Sequence, residues 1–135
     1  MEETQPQLSA GSRRNVGGKR IIILRHGERV DFAFGNAWTQ FSFNDQKYVR
    51  MDLNMPLSLP PRLVEDWEKD SPLTTLGSFQ SQQVGMSFKN FGVNFSKVFV
   101  SPSYRCVQTA SEILNAMELE NIPMNVEYGL FEWLS

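Results

Sequence analysis

Three kinds of side chain in this sequence are suited to act together on one chemical group. The single histidine, His26, sits in Leu24-Arg25-His26-Gly27-Glu28-Arg29, with an arginine on either side of it. A third arginine, Arg105, follows Ser101-Pro102-Ser103-Tyr104, and a carboxylate, Glu132, lies in Phe131-Glu132-Trp133. Guanidinium groups grip phosphate oxygens through paired, charge-assisted hydrogen bonds and keep their charge at any physiological pH. An imidazole in such a cationic field is held neutral, which leaves a ring nitrogen free to attack phosphorus. A carboxylic acid nearby would protonate the departing oxygen. Arg105 falls in the first turn of an expected helix, where free N–H groups and the helix dipole also favour an anion. Cys106 does not fit the cysteine-dependent version of this chemistry. That version needs an arginine six positions after the cysteine, and Glu112 stands there.

For these groups to meet, the elements that carry them must end on the same side. Lys19-Arg20-Ile21-Ile22-Ile23-Leu24 reads as a buried β-strand, short, β-branched and apolar on both faces. Residues 1–18 are polar and hold Gly11, Gly17 and Gly18; they are expected to form a flexible tail with Arg13 and Arg14 solvated. Residues 31–71 show neither the 2.0 nor the 3.6 period and read as a long irregular loop. Its aromatics, among them Phe32, Phe34, Trp38, Phe41, Phe43, Tyr48 and Trp67, either pin the loop down as a satellite core or form a binding surface. Thr74 or Thr75 caps a helix to about Asn90 with Leu76, Phe79, Val84, Phe88 and Phe91 on its apolar side, and Gly92 stops it. Phe95 to Val100 is a second strand. Ser103 caps a second helix with Val107, Ala110, Leu114 and Met117 as its apolar stripe. Met124 to Leu130 is a third strand. The order β-α-β-α-β predicts an α/β sandwich with a parallel sheet, whose ligands bind beyond the carboxyl ends of the strands.

Composition narrows the field. The 135 residues suit one domain, and 41% hydrophobic with 21% charged residues suits a soluble globular chain. Thirteen basic against fifteen acidic residues, a net charge of −2, gives no surplus for neutralising nucleic-acid phosphates. No apolar run approaches a membrane span, so no membrane partner is expected. One cysteine excludes an internal disulfide, and together with the absence of a signal-peptide core it predicts a cytoplasmic location. One histidine and one cysteine make a zinc site improbable on ligand count, and no metal or other cofactor is expected.

The Arg25-His26-Gly27 string and the run Ser101 to Ala110 resemble the two arginine motifs of the histidine phosphatase (phosphoglycerate mutase-like) superfamily. Arg29-Val30-Asp31, Asp52-Leu53-Asn54, Pro72-Leu73-Thr74 and Phe131-Glu132-Trp133 are similar to the phosphatase domain of the suppressor-of-T-cell-receptor-signalling proteins and the ecdysteroid-phosphate phosphatases. The resemblance covers about residues 20–134. It implies a three-layer α/β sandwich with a mainly parallel sheet, of which residues 19–135 are the N-terminal portion. It implies a metal-independent phosphomonoester hydrolase, with His26 as the nucleophile that becomes phosphohistidine and Arg25, Arg29 and Arg105 as phosphate ligands. Glu132 falls at the position of the proton donor. Phosphotyrosine and steroid phosphates are the implied substrates, and a ring-bearing leaving group would stack on the aromatic loop, with Trp38 the residue to probe. The family's second catalytic histidine, on a later strand that pairs with the first, has no counterpart in this chain. That departure opens a second expectation, a phosphoryl-binding module that holds its ligand without turning it over. It also leaves the first strand with an open edge, which favours self-association as a homodimer.

Overall fold

The computed structural model describes residues 19–132, so the expected tail over residues 1–18 and Trp133 lie outside the described residues. Just after His26 come two single-turn helices, α1 (Val30–Phe34) and α2 (Trp38–Ser42). A two-residue hairpin follows, β1 (Phe43–Asn44) and β2 (Lys47–Tyr48), then α3 (Val64–Lys69) and the long α4 (Thr75–Asn90). The chain continues through β3 (Val98–Val100), α5 (Tyr104–Ala116) and β4 (Met124–Val126) to a 3-10 turn at Tyr128–Leu130. β3 and β4 pair in parallel with Val98 opposite Met124 and Val100 opposite Val126, which makes β3–α5–β4 a β-α-β unit.

The segment 31–71, expected as irregular, contains the principal buried cluster. Val30, Trp38, Met55 and Trp67 are fully buried together, with Phe34, Phe43, Tyr48, Leu59 and Tyr104 packed around them. The hairpin turns on Asp45 and Gln46, both with positive φ, as a two-residue turn between right-twisted strands requires. That turn sets Phe43 edge-on to Tyr48 at 5.6 Å, and Phe43 in turn meets Trp38 at 5.8 Å. Gln46 then accepts a hydrogen bond from the Val64 N–H at 3.2 Å, which satisfies a free donor at the start of α3. Periodicity missed these elements because each is two to six residues long, too short to complete a repeat.

α4 corrects the expectation for its apolar side. Thr74 caps it as predicted, its Oγ1 accepting from Gly77 N–H at 2.9 Å, and Gly92 just past its end takes φ 64°. However, Leu76, Phe79, Val84 and Phe91 are exposed. The buried side is Gly77, Ser81 and Gly85, spaced i, i+4, i+8, and this stripe of small residues lets α4 and α5 approach closely. A Cβ on Gly85 would lie 2.5 Å from the Ile113 carbonyl oxygen. On α5, Ile113, Leu114 and Met117 are buried, while Val107 and Ala110 of the expected stripe are only half-buried. Ser103 starts that helix but offers no side-chain cap.

The expected strand Lys19–Leu24 does not form a ladder. The segment makes no backbone hydrogen bond among the described residues, and Ile21 and Ile23 are 84% and 90% exposed. An apolar β-branched run satisfies the local preference for extended backbone, but a strand also needs a neighbour to receive its N–H and C=O groups. The two later strands are shorter than expected for the same reason, since pairing begins only at Val98 in the first of them and stops at Val126 in the second.

At the other end of α4, Gly77 packs directly on the backbone of Gly27 and Glu28, and a Cβ there would collide with the Glu28 carbonyl. Alanine at this position gains about 0.8–1.0 kcal/mol in helix propensity over glycine. Overpacking against a rigid backbone costs about 1–3 kcal/mol. Gly77→Ala is therefore expected to lower stability despite its better helix propensity, read as a drop in the urea midpoint with an unchanged slope.

Candidate active site

Although the first expected strand is not built, the residues that follow it are held firmly. Gly27 N–H donates to Thr109 Oγ1 on α5 at 3.1 Å, and that hydroxyl donates to the Arg105 carbonyl at 2.8 Å. One threonine thus ties the histidine segment to the helix turn that carries Arg105. Two residues on, Thr74 N–H donates to the Glu28 carbonyl and Val30 N–H to the Pro72 carbonyl, both at 2.9 Å. The Glu28 carboxylate accepts from Thr74 Oγ1 at 2.8 Å and Asn54 Nδ2 at 2.9 Å, so it braces the start of α4. These bonds hold the chain immediately after His26.

His26 is half-buried. Its Nδ1 lies 2.7 Å from the Gly27 carbonyl oxygen, which can only accept, so Nδ1 carries the proton. In the neutral ring the lone pair is then on Nε2, the nitrogen available to a substrate. Burial is the largest cause that lowers the His26 pKa below its ordinary value, and the bond to Gly27 opposes it. The positive charges of Arg105, Arg29 and Arg25 lower it further, in that order. Three of the expected phosphate ligands therefore act electrostatically on the expected nucleophile.

Each arginine is held differently. Arg29 Nε donates to Asp31 Oδ1 at 2.9 Å while Nη2 pairs with Asp31 Oδ2, and its guanidinium lies over the Phe32 ring at 4.2 Å. Arg105 is buried, its side chain only 7% exposed, with Nη2 3.2 Å from Glu132 Oε2 and Nη1 3.7 Å from Asp70 Oδ1. Its Nε is buried without a hydrogen-bond partner among the described residues. Arg25 is exposed and makes no hydrogen bond or ion pair among the described residues. Glu132 is thus placed beside Arg105, with its own side chain largely in solvent. A cleft of about 180 Å³ runs beside His26, between Leu24, Gln80, Val84 and Ile113.

Asp70 is the residue that sequence reasoning missed. Both of its carboxylate oxygens accept from Tyr104 N–H, at 2.9 and 3.1 Å, so Asp70 rather than Ser103 caps α5. Arg62 closes the same carboxylate from the other side at 3.2 Å. Tyr104 also packs edge-on against Trp67 at 5.1 Å, which fastens the helix start to the aromatic core. No spacing rule links positions 70 and 104, because the cap comes from across the fold. Trp38, expected to stack a leaving group, is fully buried in that core and faces no substrate. Cys106 is half-buried, and burial pushes its thiol pKa up, against a nucleophilic role. Among the described residues no group of three His, Cys, Asp or Glu side chains is placed to hold a metal ion, and no helix is long and apolar enough to cross a membrane.

Residues 64–134 match the histidine phosphatase superfamily (branch 1). The chain is 49% identical over 122 residues to ubiquitin-associated and SH3 domain-containing protein A of Homo sapiens, covering 87% of this chain and 18% of that protein. It is 39% identical over 135 residues to the ecdysteroid-phosphate phosphatase of Bombyx mori, covering 98% and 20%. The crystal structure of the Bombyx mori ecdysone phosphate phosphatase in complex with tungstate superimposes with a TM-score of 0.76 at 43% identity. That likeness covers 80% of this chain and 42% of the other. The fold is therefore phosphoglycerate mutase-like α/β, and the chain spans about a fifth of the length of these two curated relatives.

Because His26 is the only histidine, its ring protons give one traceable NMR titration. The midpoint is expected below 6.5, and Arg105→Met is expected to raise it only part of the way back, since burial remains the larger cause. The fold favours the neutral ring, so the unfolded chain takes up the proton first as pH falls. This contribution to stability is present above about pH 6.5 and is lost as pH drops toward the folded midpoint. His26→Asn should flatten that part of the stability profile.

Proposed function

The chain belongs to the histidine phosphatase superfamily, branch 1, and from that membership we propose that residues 19–135 form the N-terminal portion of a phosphomonoesterase domain that works through phosphohistidine. Arg25, Arg29 and Arg105 bind the phosphoryl oxygens. His26 Nε2 attacks phosphorus, a P–N bond forms, and the P–O bond to the leaving group breaks. Glu132 in its acid form gives its proton to the leaving oxygen; water then attacks phosphorus, returns a proton to the Glu132 carboxylate, and the P–N bond breaks to release inorganic phosphate and free imidazole. A phosphate seated on Arg105 replaces Glu132 at that guanidinium and frees the carboxyl group to meet the leaving oxygen. The arginines hold the equatorial oxygens as charge shifts in the transition state.

The observation that carries this reading is the state of His26. Its Nδ1 proton is committed to Gly27, its ring is kept neutral by burial and three guanidinium charges, and Nε2 is left to react. The buried Arg105 Nε, an unmet donor among the described residues, adds support, since an oxyanion would satisfy it. The Bombyx mori relative was solved with tungstate, a tetrahedral oxyanion like phosphate. Substrates are phosphomonoesters with ring-bearing leaving groups, phosphotyrosine or a steroid phosphate, in a cytoplasmic protein. The solvent-facing Ile21 and Ile23 support self-association as a homodimer. One observation favours a second reading: the chain has no histidine besides His26. On that reading the same arginines hold a phosphoryl group without turnover.

Hydrolysis of an aryl phosphate by this chain, with His26→Ala alongside, separates the two. Turnover that is lost in the variant is the expected result. Absent turnover with a phosphate-dependent rise in Tm would favour the binding module. Neither turnover nor a Tm rise would overturn both readings.

A further inference from the structure

Of the aromatic residues in the segment after His26, most are committed to the core. Trp38 and Trp67 are fully buried, and Phe34, Phe43 and Tyr48 pack against them. Phe32 and Phe41 are the phenyl rings of this segment left in solvent, and they differ in one respect. Phe41 has no aromatic or cationic partner among the described residues, whereas the Phe32 ring lies 4.2 Å from the centre of the Arg29 guanidinium. Phe32 is 63% exposed, so that contact leaves much of its surface free.

The backbone that carries the ring is held in place. Phe32 sits on α1, whose Val30 is fully buried and whose backbone is tied to Pro72 and to Ser71 Oγ at 2.9 and 3.1 Å. The Arg29 guanidinium that it faces is itself fixed by two bonds to Asp31. Arg29 stands three residues after His26, and its positive charge is among those that lower the His26 pKa. An arginine stacked on a phenyl ring thus presents a cation and an apolar surface side by side, a few ångströms apart. A phosphate ester with a flat leaving group has the matching pair, an anion and a ring joined by one oxygen.

We propose that Phe32 is the specificity-determining residue of the His26 site, forming with Arg29 a two-part seat that selects phosphate esters of flat, ring-bearing alcohols over those of small alkyl alcohols. The proposal rests on the reading of His26 and its arginines as a phosphate centre. It replaces Trp38, which the core removes from this role, by a residue at the rim. Phe32 contributes through contact with the leaving group, so its loss changes the ratio between substrates rather than lowering binding of all phosphates alike.

The test measures binding of phenyl phosphate, methyl phosphate and inorganic phosphate to the full chain by calorimetry, each time in a His26→Asn background that does not consume the esters, with Phe32 unmodified, Phe32→Ala and Phe32→Trp. The chain with Phe32 unmodified is expected to prefer phenyl over methyl phosphate. Phe32→Ala should cut that preference about threefold to tenfold, the range of aromatic ring pairs, and Phe32→Trp should keep it. A preference that survives in Phe32→Ala would overturn the proposal and place the ring elsewhere, such as the apolar cleft beside His26. A uniform loss of all three ligands in Phe32→Ala would overturn it too, by showing that the ring serves only to hold Arg29. Failure of inorganic phosphate to bind the chain with Phe32 unmodified would instead remove the phosphate centre itself, and the proposal with it.

Discussion

Gly77 lets the backbone of Gly27 and Glu28 lie directly on the first turn of α4, and much of the site's geometry follows from that approach. Without a side chain between them, Glu28 reaches the helix start and its carboxylate meets Thr74 and Asn54. The same stripe, continued by Ser81 and Gly85, brings α5 close to α4. Thr109 of α5 is then near enough to accept from Gly27 N–H while donating to the Arg105 carbonyl. His26 and Arg105, 79 positions apart in sequence, are thereby held through one hydroxyl. Steric room between backbones decides this arrangement; bulkier residues on the stripe would separate the helices and the two halves of the site.

The aromatic cluster performs the second half of the positioning. Val30 anchors the chain just past Arg29, and Tyr104 anchors it just before Arg105, both in the same buried group. Burying side chains of the size of Trp38 and Trp67 contributes about 1.5–3 kcal/mol each or more. That is larger than any one of the hydrogen bonds around His26, each worth about 0.5–1.5 kcal/mol net. The core therefore fixes where the two arginine segments lie, and the hydrogen bonds refine their orientation. Asp70 joins the two effects, since its carboxylate caps α5 and touches Arg105 while Arg62, stacked 4.4 Å over Trp67, holds it from behind.

The electrostatics of the centre are those of three guanidinium charges acting on a half-buried imidazole. Arg29 and Arg105 are each engaged by a carboxylate, Asp31 and Glu132, which keeps them from being bare buried charges. Burial first, and then these charges, hold the His26 pKa below its ordinary value.

The sequence by itself determined which side chains are candidates for chemistry, and it determined the longer elements. Residue type makes arginine permanently charged and imidazole able to attack, which is what singled out Arg25, His26, Arg29, Arg105 and Glu132 as one candidate set before any fold was known. Thr74 as a cap, the span of α4 and the start of α5 were equally legible, because capping and helical period are local properties. Tertiary structure alone decided the rest. Which side of α4 is buried depends on how closely another helix can approach, and small residues won over the apolar ones. Whether Ile21 to Leu24 forms a strand depends on a partner, which a residue run does not encode by its own pattern. Whether an aromatic ring serves the core or the rim depends on what surrounds it, which sent Trp38 inward and left Phe32 against Arg29. The Asp70 cap on Tyr104 spans 34 positions, and only a folded chain brings such a pair together.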